Sequence, residues 1–300
     1  MRKILITGGL GYIGTEIIKI YNSRKDIICV LDKKKPSLKQ KRILKKKGIK
    51  FIRADISKIN SIPKKVIDYD IIIHLAAITK VPKLKKEASK KIDNEILKVG
   101  IIGTKNLIKK IKKHQIIIFP STHLVFEKTK KNIKFNERSK PMPNLAYSTS
   151  KLQGEKIIKK SSLNYFILRL GSVYGYIEDE KRMFNMPNLF PKLVKKNQNL
   201  KLFSNGIQLK SIVSVNDVAR CMLFCCGYNR VNQIFNVVSE NLTTFKIANM
   251  CKRFNKKVKL ILTDDLIPNP GYSMSSKKIK RTGFKFKFLY KNFLRFYFSF

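Results

Sequence analysis

Tyr147 and Lys151 stand four positions apart in a segment, Ala146 to Lys160, whose pattern predicts a helix, so the two side chains fall on one face a single turn apart. An ammonium beside a phenol favours the phenolate, and the pair predicts a tyrosine whose pKa is lowered far enough to exchange a proton near neutral pH. Thr122 follows Ser121 at the end of the apolar run Ile116 to Pro120, where its hydroxyl could bond the same reacting oxygen. Thr122, Tyr147 and Lys151 are therefore the candidate catalytic residues. A tyrosine and lysine at this spacing also describe an ordinary exposed helix pair, so the surrounding motifs decide.

The run Thr7-Gly8-Gly9-Leu10-Gly11-Tyr12-Ile13-Gly14 follows the apolar stretch Ile4 to Ile6 and opens a helical pattern. Gly8 permits a tight turn, Gly11 lets backbone amides approach a pyrophosphate, and Gly14 lets the helix pack closely on the strand. The helix N-terminus adds partial positive charge for phosphates. Gly8, Gly11, Tyr12, Ile13 and Gly14 are thus candidate dinucleotide contacts.

Asp32 ends the next apolar run, where a carboxylate can accept hydrogen bonds from both adenosine ribose hydroxyls and repel a 2′-phosphate, favouring NAD over NADP. Lys33, Lys34 and Lys35 act in the opposite sense. Asp55-Ile56 and His74-Leu75-Ala76-Ala77 close two further runs, and small residues there would let the dinucleotide lie across the strand ends. Asp55, Ile56, Leu75, Ala76 and Ala77, with Tyr147 and Lys151, complete the expected cofactor site. His74 reads as a packed strand-end residue; the 3 histidines lie far apart without ligand spacing, and no metal is expected.

These residues need a scaffold that brings strand ends together. Ile4 to Thr7, Ile27 to Asp32, Lys50 to Ala54, Ile71 to Ala76 and Ile116 to Pro120 read as buried strands, with helical patterns at Ile13 to Ile20, Ser37 to Lys47 and Glu87 to Lys112 between them. Strands alternating with helices predict an α/β fold, a Rossmann-type doubly wound parallel sheet, with a smaller C-terminal substrate-binding lobe. The expected division is a dinucleotide-binding domain over 1–175 and a substrate lobe over 176–300, with segments near 211–238 returning to the Rossmann sheet. Prolines 187, 191, 268 and 270 break up the second part. At the end, Leu289, Phe293, Phe296, Tyr297 and Phe300 predict one face of a closing helix packed on the core.

With 43% hydrophobic residues in 300, the chain can bury a large core. Lysines interrupt every apolar run before the roughly 18 residues of a spanning helix, and Met1-Arg2-Lys3 leads straight into Ile4-Leu5-Ile6 without a secretory pattern, so a cytoplasmic location without a membrane span is expected. Cys29, Cys221, Cys225, Cys226 and Cys251 contain no Cys-x-x-Cys pair and read as small buried hydrophobes. The net charge of +46 alone would suggest a polyanion partner. It is spread along the whole chain, however, and carried mostly by Lys, whereas bidentate phosphate readers favour Arg. No specific nucleic-acid partner is expected.

Taken in order, these motifs resemble the extended short-chain dehydrogenase/reductase family, the NAD-dependent epimerase/dehydratases. The resemblance extends through Gly103-Thr104-Lys105-Asn106-Leu107, Ser121 to Phe126, Pro143 to Lys151, Leu168 to Gly175, Asn188-Leu189-Phe190-Pro191, Val215 to Ala219 and Phe235-Asn236-Val237. It implies NAD as cofactor, Thr122, Tyr147 and Lys151 as a catalytic trio, and hydride transfer at a sugar carbon, C4 of a nucleotide-sugar, by an epimerase or 4-keto-sugar reductase. It also implies substrate contacts from Thr122, from Ser172 in place of a frequent Asn, from Asn188 to a diphosphate or base, and from Lys210 in place of a common Arg.

Some positions depart from the family pattern. His123 and Leu124 stand where 4,6-dehydratases carry an Asp-Glu pair, which argues against dehydration. Gly100 replaces a common Asn, Phe126 a frequent Tyr, and Asn269 a diphosphate-binding Arg of related epimerases. The alternatives are a dehydrogenase or reductase of a non-nucleotide substrate, or a non-catalytic dinucleotide-sensing or polyanion-binding protein; the intact trio argues against the second. A homodimer is compatible with the sequence.

Overall fold

The computed structural model describes residues 1–21, 26–79, 89–127, 133–176, 185–265 and 271–299. Its strands are β1 Arg2–Thr7, β2 Asp26–Asp32, β3 Lys50–Arg53, β4 Ile71–His74, β5 Ile116–Thr122, β6 Lys134–Phe135, β7 Asn164–Leu170, β8 Ser172–Tyr174, β9 Leu200–Phe203, β10 Leu209–Ser214, β11 Gln233–Val237, β12 Glu240–Thr243, β13 Leu260–Thr263 and β14 Ser273–Met274. The α-helices are α1 Tyr12–Ile20, α2 Leu38–Lys46, α3 Lys90–Leu97, α4 Gly103–Lys110, α5 Ala146–Lys160, α6 Met186–Lys195, α7 Val215–Cys226, α8 Thr244–Lys252, α9 Lys277–Arg281 and α10 Tyr290–Phe298.

The large sheet has the order β11-β7-β5-β4-β1-β2-β3, with β1 to β5 paired in parallel, as the α/β reading requires. Its central strands carry Ile, Leu and Val on both faces: Ile4, Leu5, Ile6, Ile72 and Ile73 are completely buried. Burial on both sides accounts for continuous apolar runs instead of alternation. Such strands can be joined in parallel only by crossovers, and the strand order reverses at β1, between β2 and β4.

The residues group into two compact units, one of 1–125, 141–169 and 219–234, the other of 126–140, 170–218 and 235–300. In the first, Leu5, Cys29, Leu31, Ala54, Ile56, Val66, Ile72 and Leu107 form a core on one side of the sheet, and Ile117, Phe119, Ile158, Leu163 and Ile167 form another. In the second, Tyr174, Phe190, Leu200, Ile212, Ile247, Val258, Tyr290 and Leu294 pack together. All five cysteines are buried, as expected of small hydrophobes.

Three expectations require correction. The Ser211 to Val215 run does not return to the large sheet. Ser211 to Ser214 lie in β10, whose two edges are occupied by β8 in parallel and β12 antiparallel, Val215 begins α7, and of the two expected segments only Gln233–Val237 joins the seven strands. Second, the single helix expected up to Lys112 is interrupted: α3 passes through a π-turn at Lys98–Ile102 into α4. There Gly100 presses on α5, so a Cβ would stand 2.8 Å from Ser150 Cβ, and its carbonyl accepts from Thr104 Oγ1 at 2.7 Å. Glu87, the expected start, is outside the described residues.

Third, α10 buries Tyr290 and Leu294, with Phe293 packed alongside, while Phe296 is exposed and Leu289 precedes the helix as its cap. The Tyr290 hydroxyl donates to the Pro187 carbonyl at 2.8 Å, which fixes that face inward. Phe300 lies outside the described residues. None of the described helices is long and apolar enough to cross a membrane.

Candidate active site

The glycine motif occupies the turn between β1 and α1. Gly8 has φ +67°, and a Cβ there would lie 2.7 Å from the backbone N of Ala76. Gly14 admits none either, since a Cβ would meet the Gly9 carbonyl at 2.4 Å. Gly11 caps α1 and, as a glycine, brings no side chain of its own to the first amides. Tyr12 and Ile13 form the first turn of the helix, half-buried. Backbone donors at a helix N-terminus reached over glycines suit an anionic phosphate.

Asp32 ends β2 beside this turn. Its Oδ2 accepts from Leu10 N at 3.2 Å and its Oδ1 from Lys34 N at 3.0 Å. Two carboxylate oxygens offer about four acceptor sites, so both retain capacity for ribose hydroxyls. Asp55, after β3, accepts from Ser57 N and Oγ, and Lys33 Nζ lies 4.0 Å away. Partial burial would raise its pKa, but the Ser57 hydrogen bonds, Lys33 and Lys58 outweigh it and the carboxylate is held below its usual range. Ile56 is buried and Leu75, Ala76 and Ala77 are half-buried at the end of β4.

His74 is packed, as expected of a strand-end residue. Nδ1 lies 2.8 Å from Thr7 Oγ1 and Nε2 lies 3.0 Å from Thr104 Oγ1. Because the Thr104 hydroxyl donates to Gly100 O, Nε2 must donate to Thr104; Nδ1 then accepts from Thr7. The tautomer follows from the network. Burial, and then the Lys151 charge, pushes the imidazole down to about 3, so it is neutral throughout the physiological range. Thr7 Oγ1 also accepts from Ala76 N at 3.3 Å, so the chain of bonds ends in the backbone of the expected cofactor site.

The three catalytic candidates meet. Thr122 ends β5, Tyr147 and Lys151 share one face of α5, and Tyr147 is hydrogen-bonded to Thr122. Lys151 is 5% exposed, donates from Nζ to the Pro120 carbonyl at 2.8 Å, and lies over the Phe119 ring at 4.7 Å. Burial lowers its ammonium to about 8, opposed by Glu155. The expected lowering of the Tyr147 pKa is not found. Although part of the side chain reaches solvent, burial of the phenol pushes it up to about 12, and the Thr122 hydrogen bond only moderates this. Desolvation is the larger influence at the phenol.

Sequence reasoning assigned no role to Glu155 or Arg169. Glu155 is buried, with Oε1 accepting from Arg169 Nε at 3.1 Å and Oε2 from Arg169 Nη2 at 2.8 Å, and Ser121 Oγ donates to Oε1. Removing one member of such a pair typically costs about 3–5 kcal/mol. The available signal was the position of Glu155 one turn beyond Lys151, with Arg169 inside the Leu168 to Gly175 motif.

The remaining substrate candidates lie in the second unit. Ser172 begins β8 and Lys210 lies on β10, half-buried, its amine pushed down to about 8 by burial. Asn188 is 2% exposed, and its amide is occupied internally: Oδ1 accepts from Gly175 N at 3.0 Å, and Nδ2 donates to Val173 O at 3.2 Å and Asn185 Oδ1 at 2.7 Å. Its side chain ties β8 to α6, and with both amide hydrogens engaged it has none to donate to a diphosphate. Asn269 is outside the described residues.

The sequence model of the NAD-dependent epimerase/dehydratase family matches residues 4–238. A protein of Methanocaldococcus jannaschii named "Putative UDP-glucose 4-epimerase" is 29% identical over 245 residues, 78% of this chain and 76% of that one. A dTDP-D-glucose 4,6-dehydratase of Dictyostelium discoideum is 26% identical over 83% of this chain and 60% of its own length. Among solved structures, the UDP-glucose 4-epimerase of Thermotoga maritima, determined with UDP-glucose, superposes with a TM-score of 0.83 at 21% identity, covering 99% of this chain and 97% of that one.

Proposed function

We propose that this chain, which belongs to the NAD-dependent epimerase/dehydratase family, inverts C4 of a nucleotide-sugar, with Thr122, Tyr147 and Lys151 managing the proton of the C4 hydroxyl. NAD, when bound, supplies a hydride acceptor and, in its oxidised form, a positive charge. The residues suit it: Gly8 and Gly14 leave room that any Cβ would fill, α1 presents an N-terminus capped only by Gly11, and Asp32 stands ready for the adenosine ribose. Tyr147 and Lys151 complete the cofactor contacts at the other end.

The observation that carries the reading is the meeting of Thr122 with Tyr147 one turn before a buried Lys151. Tyr147 rests as a phenol, ready to give its proton to a sugar oxygen. Taking a proton from C4–OH requires positive charge to offset burial of the phenolate, and Lys151 is the cation that this chain provides on the same face. Thr122 holds the same oxygen in line. His123 and Leu124 supply no carboxylate beside Thr122, which favours epimerisation over dehydration. Ser172 and Lys210 are the chain's proposed contacts to the sugar and its diphosphate.

The test is incubation of the purified chain with UDP-galactose, without added reduced cofactor, followed by proton NMR. Accumulation of UDP-glucose to a constant ratio supports the reading. If a 4-keto sugar is consumed only when fresh reduced cofactor is added, a reductase replaces it.

A further inference from the structure

Behind the Tyr147–Lys151 face, α5 buries Glu155 against β5 and β7. An ion pair sealed from water holds elements together no better than a well-packed apolar pair, so Glu155–Arg169 is poorly explained by stability alone. Its other contacts lead to the catalytic candidates. Ser121, which donates to Glu155, immediately precedes Thr122, and the Glu155 charge acts directly on Lys151 one turn earlier. Arg169, 4% exposed, donates to both carboxylate oxygens and so fixes the carboxylate in place.

We propose that Glu155 is a positioning residue, held by Arg169, that keeps the Lys151 ammonium charged beneath Tyr147 and anchors the Thr122 end of β5. This rests on the proton-transfer reading of the trio. Among the described residues, the groups facing Lys151 are the Pro120 carbonyl and the Phe119 ring on β5, the His74 imidazole on β4, neutral in this range, the Tyr147 phenol one turn earlier on its own helix, and Glu155. Glu155 is the anion in that set. Without it, burial would discharge the lysine at lower pH.

The test does not require turnover. In the full chain, the Lys151 ammonium is followed by nitrogen-15 NMR; its burial and its bond to Pro120 slow proton exchange, which separates it from exposed lysines, and its absence from Lys151→Arg assigns it. Glu155→Gln is expected to move the titration midpoint down by about one pH unit or more from its wild-type value near 8. If an unpaired Arg169 prevents that variant from folding, the paired Glu155→Leu/Arg169→Met variant is measured, with a downward move again expected. A midpoint unchanged in the folded variant would overturn the proposal, whatever substrate the enzyme turns over. An inactive wild type whose midpoint still moves would count against the C4 reading alone.

Discussion

Lys151 Nζ donates to the carbonyl of Pro120, two residues before Thr122 on the same strand. The bond ties the helix carrying Tyr147 and Lys151 to the strand carrying Thr122, so the three side chains are positioned by one junction. It also explains why a lysine can be charged at 5% exposure. Among the described residues, an ammonium deprived of water retains the Pro120 carbonyl, the Phe119 ring and the Glu155 carboxylate.

Turnover should therefore fall as pH rises through about 8, the value at which Lys151 loses its proton. A pH profile of kcat should show this alkaline limb, and Lys151→Met should lose both the limb and most of the activity. A limb that persists in Lys151→Met would assign it to another group.

The glycine turn makes a structural demand. Gly8→Ala places a methyl group 2.7 Å from the Ala76 backbone at a φ of +67°, so either the turn or the end of β4 must move. We expect a stability loss of about 1–3 kcal/mol, and NAD affinity at least about tenfold weaker, equal to about 1.4 kcal/mol. Urea titration and calorimetric titration read the two effects separately.

Asp32 should make NAD bind more tightly than NADP, because a 2′-phosphate would approach its carboxylate. Asp32→Asn should weaken NAD binding and narrow the difference. Calorimetry with both cofactors decides, and equal affinities in the wild type would mean that Lys33 to Lys35 dominate.

His74 couples folding to pH. Its folded pKa near 3 lies below the ordinary value of 6.5, so the unfolded chain binds the extra proton first. The stability due to neutral His74 is complete above 6.5 and is lost progressively as pH falls towards 3, with a slope of at most about 1.4 kcal/mol per pH unit. Urea midpoints of wild type and His74→Gln between pH 7 and 5 should converge on acidification. Parallel curves would contradict the assignment.

The strand ends were legible because isoleucine runs buried on both faces announce a parallel sheet, and the glycine turn, Asp32 and the Tyr147–Lys151 spacing each have a mechanism that can be read locally. What escaped depended on partners distant in sequence. The raised Tyr147 pKa depends on desolvation, which a four-residue spacing does not show. Glu155 resembles an ordinary helix carboxylate until β7 brings Arg169 to it. The run at Ser211 declares a strand, but its partners β8 and β12 are not written in the run itself. Asn188 was recognised by its motif, yet its amide is spent on neighbouring backbone and Asn185.

The central claim is that Tyr147 exchanges the proton of a sugar hydroxyl, and Tyr147→Phe tests it most directly because the ring's packing is preserved while the hydroxyl is removed. With UDP-galactose as substrate, the variant should turn over about 10²- to 10⁴-fold more slowly than wild type, with NAD affinity measured by calorimetry nearly unchanged. Near-normal turnover in Tyr147→Phe would contradict the account.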